Sequence, residues 1–329
     1  MGDSIDLLKA HGSKNDIFII DEPPDRHFTA TELLRFVQLL CDRSGMLGGD
    51  GVYFLDTGTR PASATFFNPD GSPASFCGNG MRAVGRLLLE RSGEDEVVVR
   101  SGGIDFRVRH AAPTPDGVAQ TVVDLPPVDL LPQVPIVAGG GRHVNEVMPA
   151  LHPSLRYSAL AVPNSHLVSV MEKYDLAELT EVGERLAASP ETFPIGANVS
   201  HVMPLGGADV FIHTYERGAG LTMSCGSGVA ASRAVCSQLG IFEPDQPVVT
   251  RNPGGISRAW LRIMNGRWLP VLEGKATFVY RAAIDPRVLV LEGPPSLLDL
   301  DVQLDEISAF GALDDANVET LHAAGVQFA

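Results

Sequence analysis

Short runs rich in β-branched and aromatic residues recur along the chain, bounded by Gly, Pro and Asp, and their spacing predicts strands. In the first half they cover residues 16–21, 52–55, 64–68, 97–100, 104–109 and 121–125. In the second half they cover 167–171, 199–205, 210–215, 256–263, 268–272 and 277–280. A helical period is clear in only four places. Residues 29–43 open with Thr29 and Glu32 in capping-box spacing and carry Leu33, Leu34, Val37 and Leu40 at helical intervals. Residues 176–188 are amphipathic, and two further helices begin just after Cys77 and just after Cys225. Beyond residue 283 the chain is acidic, with a strand-like run at 288–291 and a weak helical pattern at 318–324.

The stretch 126–141 interrupts this pattern with Pro126, Pro127, Pro132, Pro135 and the run Gly139-Gly140-Gly141, which predicts a linker or long loop. It marks the expected boundary between an N-terminal lobe, residues 1–127, carrying Cys77 and a C-terminal lobe, residues 128–274, carrying Cys225. Residues 286–329 read as an extension with no visible chemistry. A chain of 329 residues, 44% hydrophobic and 20% charged, can bury two modest cores.

A formal net charge of -15 argues against nucleic acid or anionic lipid as partner, because both need clustered Lys and Arg. The N-terminus has no basic region leading into an apolar run, and no stretch approaches the roughly 18 apolar residues of a membrane span. The expectation is a soluble cytoplasmic protein. Its four cysteines, at 41, 77, 225 and 236, are too few for a disulfide scaffold and include no CxxC pair for zinc or dithiol exchange.

One internal repeat stands out. Cys77-Gly78-Asn79-Gly80-Met81-Arg82-Ala83 is echoed 148 residues later by Cys225-Gly226-Ser227-Gly228-Val229-Ala230-Ala231, and both run into helix-forming sequence. A helix start offers unpaired N–H groups and a positive dipole end, so a thiol placed there is drawn toward thiolate. The same N–H groups can hold a carboxylate. Facing each other across an amino acid, one thiolate could remove the α-proton while the other thiol delivers a proton to the opposite side, inverting the centre. For a single copy the plainer reading is a Gly-rich turn beside a buried thiol; finding two copies weakens it. Cys41 and Cys236 lack this context and read as core residues.

These residues resemble the diaminopimelate epimerases, a family that uses a cysteine pair and neither pyridoxal phosphate nor metal. The likeness lies in His11-Gly12-Ser13-Lys14-Asn15-Asp16, in Asn68-Pro69-Asp70-Gly71-Ser72 ahead of the first cysteine block, and in the segment from Ala161 to His166. It continues through Asn198, Tyr215-Glu216-Arg217-Gly218-Ala219-Gly220 with the second block, and Asn252-Pro253-Gly254-Gly255. The resemblance implies an α+β fold of two pseudo-symmetric lobes, each a mostly antiparallel sheet wrapped around a central helix, with the active site in the cleft between them. A closing segment, residues 275–285, would return to the first lobe.

The family pattern implies Cys77 and Cys225 as the acid/base pair, with Gly78, Asn79, Gly226 and Ser227 cradling the reacting carboxylate. It implies Asn15, Asn68, Asn164, Asn198, Glu216 and Arg217 on the remaining amino and carboxylate groups, and His166 and Glu216 tuning the reacting centre. It also implies a small amino-acid substrate, no cofactor and a homodimer. The expected reaction is conversion of LL- to meso-diaminopimelate, a step toward lysine and cell-wall precursors.

Several positions depart from the pattern. Pro73 and Ser75 stand where many members are acidic, Ser165 replaces a common Pro, and Gly51 lies where some members carry a substrate-contacting Gln. These keep open a racemase of another amino acid, such as histidine. A third reading is a non-catalytic amino-acid binding or redox-sensing protein with a Cys77–Cys225 disulfide.

Overall fold

A computed structural model describes residues 4–44, 47–285 and 297–328. The strand-like run at 288–291 lies outside the described residues. Among the described residues the α-helices are α1 (Ala30–Cys41), α2 (Gly78–Ser92), α3 (Leu176–Ala187), α4 (Gly226–Gln238) and α5 (Leu304–Ala323). Strands form most of the remaining regular structure, so the fold is α+β, as expected.

The chain divides into two compact units, Met1–Val123 with Gly274–Ala312, and Asp124–Glu273 with Leu313–Ala329. In the first unit, Ile5–Gly12, Asn15–Ile20, Val52–Asp56, Ala62–Phe67, Glu96–Ser101 and Ile104–Ala111 pair in that order. The pairings run antiparallel, parallel, antiparallel, parallel, antiparallel. Thr277–Ile284 adds to the free side of Ile5–Gly12, and Leu298–Val302 adds to it in turn.

The second unit repeats the scheme with Arg156–Val162, Asn164–Val170, Asn198–Gly206, Asp209–Glu216, Val248–Asn252 and Gly255–Met264, in the same alternation. A parallel pair needs a crossover, and helices supply it at equivalent points: α1 and α2 in the first unit, α3 and α4 in the second.

The two helices of each unit have different tasks. α1 is amphipathic and presents Phe36, Val37 and Leu40 to a core shared with Phe18, Ile20 and Phe54. α3 does the same with Leu179, Val182 and Leu186. In contrast α2 and α4 are buried nearly all round, down to Arg82 at 1% exposure and Arg233 at 2%. α2 packs on Ile5–Gly12 as well as Ile104–Ala111, and α4 touches Arg156–Val162 as well as Gly255–Met264. Each sheet therefore wraps around a central helix.

The capping box at Thr29 forms: its side chain accepts from the Glu32 N–H, and Glu32 accepts from the Thr29 N–H at 2.8 Å. Among the strands of five residues or more, Ile5–Gly12, Arg156–Val162, Val248–Asn252 and Leu298–Val302 were not legible. Arg156–Val162 is buried on both faces after its first residue, so it lacks the alternation that marks a strand. The largest difference is α5, a full 20-residue helix where the pattern suggested a short one. Its buried positions Phe310, Asp314, Asn317 and Leu321 follow helical spacing, but two of the four are polar.

Candidate active site

In the first unit Cys77 is the N-cap of α2, with φ -119° and ψ 117°, and its sulfur accepts from the Gly80 N–H at 3.4 Å. The sulfur lies 3.3 Å from Asn15 Oδ1, to which it donates when protonated. Asn15 is brought there by a two-residue hairpin turn in which Ser13 and Lys14 both take left-handed φ, 58° and 60°. The turn lies against α2: a Cβ on Gly12 would stand 2.7 Å from Arg82 Nη2 and 2.9 Å from the Asn79 carbonyl. The Tyr53 hydroxyl accepts from the Cys77 N–H at 2.7 Å and donates to the Cys77 carbonyl at 3.2 Å.

Arg82 donates to Asn79 Oδ1 at 2.8 Å and to the Lys275 carbonyl at 3.0 Å. Burial pulls the Arg82 guanidinium down to about 10, and the negative form of Cys77 pulls it the other way, so this cation is coupled to the thiol. Asn68 is half-buried and committed to its own turn, donating to Ser72 Oγ at 3.0 Å. Gly78 is half-buried and Asn79 buried, in the first turn of α2.

In the second unit Cys225 is the N-cap of α4, with φ -115° and ψ 109°, and its sulfur accepts from the Gly228 N–H at 3.3 Å. The two thiols thus have nearly the same backbone geometry and the same N–H partner three residues on. Their side-chain neighbours differ. Cys225 lies 3.5 Å from Ser227 Oγ and hydrogen-bonds Glu216, which also accepts from Thr222 Oγ1 at 2.7 Å. Burial and then the Glu216 charge push the Cys225 thiol well above its ordinary value, against the Ser227 and Gly228 hydrogen bonds. Burial likewise raises the Glu216 carboxyl.

Asn198 is buried and accepts the Arg217 N–H at 2.9 Å, which fixes the backbone where the Glu216-Arg217 pair leaves its strand. The Arg217 side chain is exposed and donates to the Ile195 carbonyl. Asn164 is exposed and opens the strand equivalent to the one Asn15 opens. Gly226 and Ser227 are buried in the first turn of α4.

His166 is fully buried, and neither ring nitrogen has a hydrogen-bond partner among the described residues. Burial pulls it down to about 3, so it is neutral. In the first unit the structure therefore brings Asn15, Gly78 and Asn79 to Cys77. In the second it brings Glu216, Gly226 and Ser227 to Cys225, with Asn198 behind them. Cys41 and Cys236 are buried core thiols, each pushed up to about 12 by burial.

Sequence reasoning missed Tyr53, whose strand reads as plain core, and Thr222. Arg82 was visible inside the first cysteine block, where a charged residue on a buried helix is the usable signal. Two departures have packing reasons. A Cβ on Gly51 would meet the Phe66 ring at 2.3 Å, and the Ser165 hydroxyl donates to the Gly196 carbonyl at 2.6 Å.

A unit of this topology, used twice around a central helix, defines the structural class. It is shared with solved structures of low identity. A phenazine biosynthesis protein of the PhzF family from Bacillus anthracis superposes with a TM-score of 0.63 at 12% identity, over 86% of this chain and 99% of that one. A hydroxyproline epimerase from Agrobacterium vitis gives 0.57 at 15%, over 86% and 92%.

The sequence then narrows the class. The diaminopimelate epimerase family pattern matches residues 7–120 and 159–279. The diaminopimelate epimerase of Enterococcus faecalis is 35% identical over 286 residues, covering 83% of this chain and 87% of that protein. The chain belongs to the diaminopimelate epimerase family, and it is an isomerase. No helix among the described residues is long and apolar enough to cross a membrane.

Proposed function

We propose that the protein epimerises LL-diaminopimelate to meso-diaminopimelate, with Cys77 and Cys225 as a thiolate/thiol pair. The observation that carries this reading is the pair of N-cap thiols, matched in φ, ψ and N–H partner and set in unlike surroundings. A two-base inversion needs one thiol protonated and the other not when substrate arrives. The surroundings favour one assignment. Cys225 holds its proton, since burial and Glu216 both oppose the anion. Cys77, coupled to the Arg82 cation, takes the base role in that form of the enzyme.

The N–H groups of the first turns of α2 and α4 would bind the α-carboxylate and stabilise the charge that develops as the proton leaves. Arg217 offers a planar fork for a carboxylate, and the asparagines hydrogen-bond the ammonium groups. His166, neutral and enclosed, supports the strand beside Asn198 and carries no proton in the cycle. No step in this scheme calls on a cofactor. The reading extends to a homodimer, which light scattering behind size exclusion would weigh directly.

Incubating the reduced protein with LL-diaminopimelate in deuterated water should yield meso product labelled at one α-carbon. Absence of label with diaminopimelate, and its appearance with another amino acid from a panel including histidine, would replace the substrate. Retained turnover in Cys225→Ala would exclude the two-base mechanism.

A further inference from the structure

Asn317 is completely buried, though the stretch matched by the family pattern ends at residue 279. It sits on the inner face of α5 and uses both ends of its amide. Nδ2 donates to the Asn252 carbonyl at 3.1 Å, and Oδ1 accepts from Arg251 Nη1 at 3.3 Å. Arg251 is held in turn by Asp209 at 2.8 Å. Arg251 and Asn252 close the strand Val248–Asn252 at its turn into Gly255–Met264.

That turn holds the chain leading into Cys225. The Gly254 N–H donates to the Met223 carbonyl at 2.8 Å, and Ser224 Oγ donates to Asn252 Oδ1 at 3.4 Å. The Asn252 amide is anchored on its other side by donating to the Ile212 carbonyl at 2.6 Å. Met223 and Ser224 immediately precede the N-cap thiol, so the turn sets where α4 starts. A side chain that locks the turn from behind restrains the sulfur through three residues of backbone.

We propose that Asn317 is a positioning residue for Cys225: from the C-terminal helix it clamps the Arg251–Asn252 turn, and through Ser224 it fixes the thiol at the head of α4. A buried amide with both ends engaged specifies one geometry, and an apolar residue of the same size releases it while still filling the space. The kinetic half of the test rests on the epimerase reading above; the chemical half does not.

The variant is Asn317→Leu in the full-length chain, with Asn317→Ser beside it in case the leucine form does not fold. Alkylation of each cysteine by iodoacetamide is followed by peptide mass across pH. The expected result is a shifted pH profile and an altered rate at Cys225 by about three- to tenfold, with Cys77 unchanged. In turnover, kcat should fall by a similar factor with KM nearly constant, and Asn317→Ser should recover part of it. Combining Asn317→Leu with Ser224→Ala should cost no more than the larger single effect, because the two act along one path. Unchanged Cys225 alkylation and kcat in a folded variant, or equal changes at both cysteines, would overturn the proposal. If the wild type shows no α-proton exchange, the epimerase reading fails while the alkylation profile still decides the role of Asn317.

Discussion

Two side chains show how the same thiol on the same kind of helix start is given different chemistry. Glu216 opposes the Cys225 anion by its charge and holds its proton by a hydrogen bond. Glu216→Gln removes the charge, so the thiol should titrate at lower pH and alkylate faster at neutral pH, while turnover falls. Alkylation rates between pH 6 and 10 check this; an unmoved profile would show that burial alone sets the thiol. Tyr53 acts on the backbone instead, satisfying both the N–H and the carbonyl of Cys77 with one hydroxyl. Tyr53→Phe takes the partner from the Cys77 N–H, while the Cys77 carbonyl keeps the Met81 N–H at 2.8 Å; the cost is about 1–3 kcal/mol, read from urea unfolding, with Cys77 the cysteine whose reactivity changes. The Glu216 role is among those the family resemblance implies; the Tyr53 role was not legible. A tyrosine among apolar neighbours in a strand looks like core, and its hydroxyl's destination depends on a residue 24 positions away.

Elements differ in how much of themselves they reveal. α1 announces its start by a capping box, which forms, and its inner face in part: Val37 and Leu40 are buried and Leu33 packs beside them, whereas Leu34 is exposed and Phe36 takes a core position that the leucine spacing did not mark. α5 conceals its inner face because Asp314 and Asn317 stand where apolar residues would mark it. It is nevertheless firmly seated, with Leu321 completely buried in the second unit's core and Phe310 edge-on to His11, centroids 4.4 Å apart, in the first. Leu321→Ala should therefore cost about 2–5 kcal/mol, measurable by denaturant, where a loose tail would cost nothing.

The strands of the second unit carry a further property. His201 and His213 are cross-strand neighbours, each hydrogen-bonded to a tyrosine, and burial draws them down to about 3 and about 4. With His166 they stay neutral in the folded chain, whereas the unfolded chain protonates them near pH 6.5. Stability is then complete above about pH 6.5 and falls as the pH drops toward 4, by up to about 1.4 kcal/mol per pH unit for each histidine. Equilibrium unfolding at several pH values tests the slope, and equal stability at pH 7 and pH 5 would contradict it.

At the scale of the molecule, the duplication was legible as a seven-residue echo and nothing more. The strand-pairing alternation common to both units leaves no trace in residue identity, because pairing partners come from distant segments and many interior strands lack alternation. The excess of acidic residues also belongs to this scale. A formal charge of -15 makes the folded chain repel itself, so raising salt from about 10 to 150 mM should raise the melting temperature.

The unlike seating of two matched thiols has one last consequence. On the two-thiol scheme each turnover exchanges the proton between them, so the enzyme that releases product is not the enzyme that bound substrate. If Cys225 is the thiol that keeps its proton at rest, as proposed, the released form is the other protonation isomer of the free enzyme and must regain the first form through water or through a reverse turnover. At high substrate and product together, that return step would govern the flux, and solvent deuterium would slow it even where the carbon–hydrogen bond is not rate-limiting.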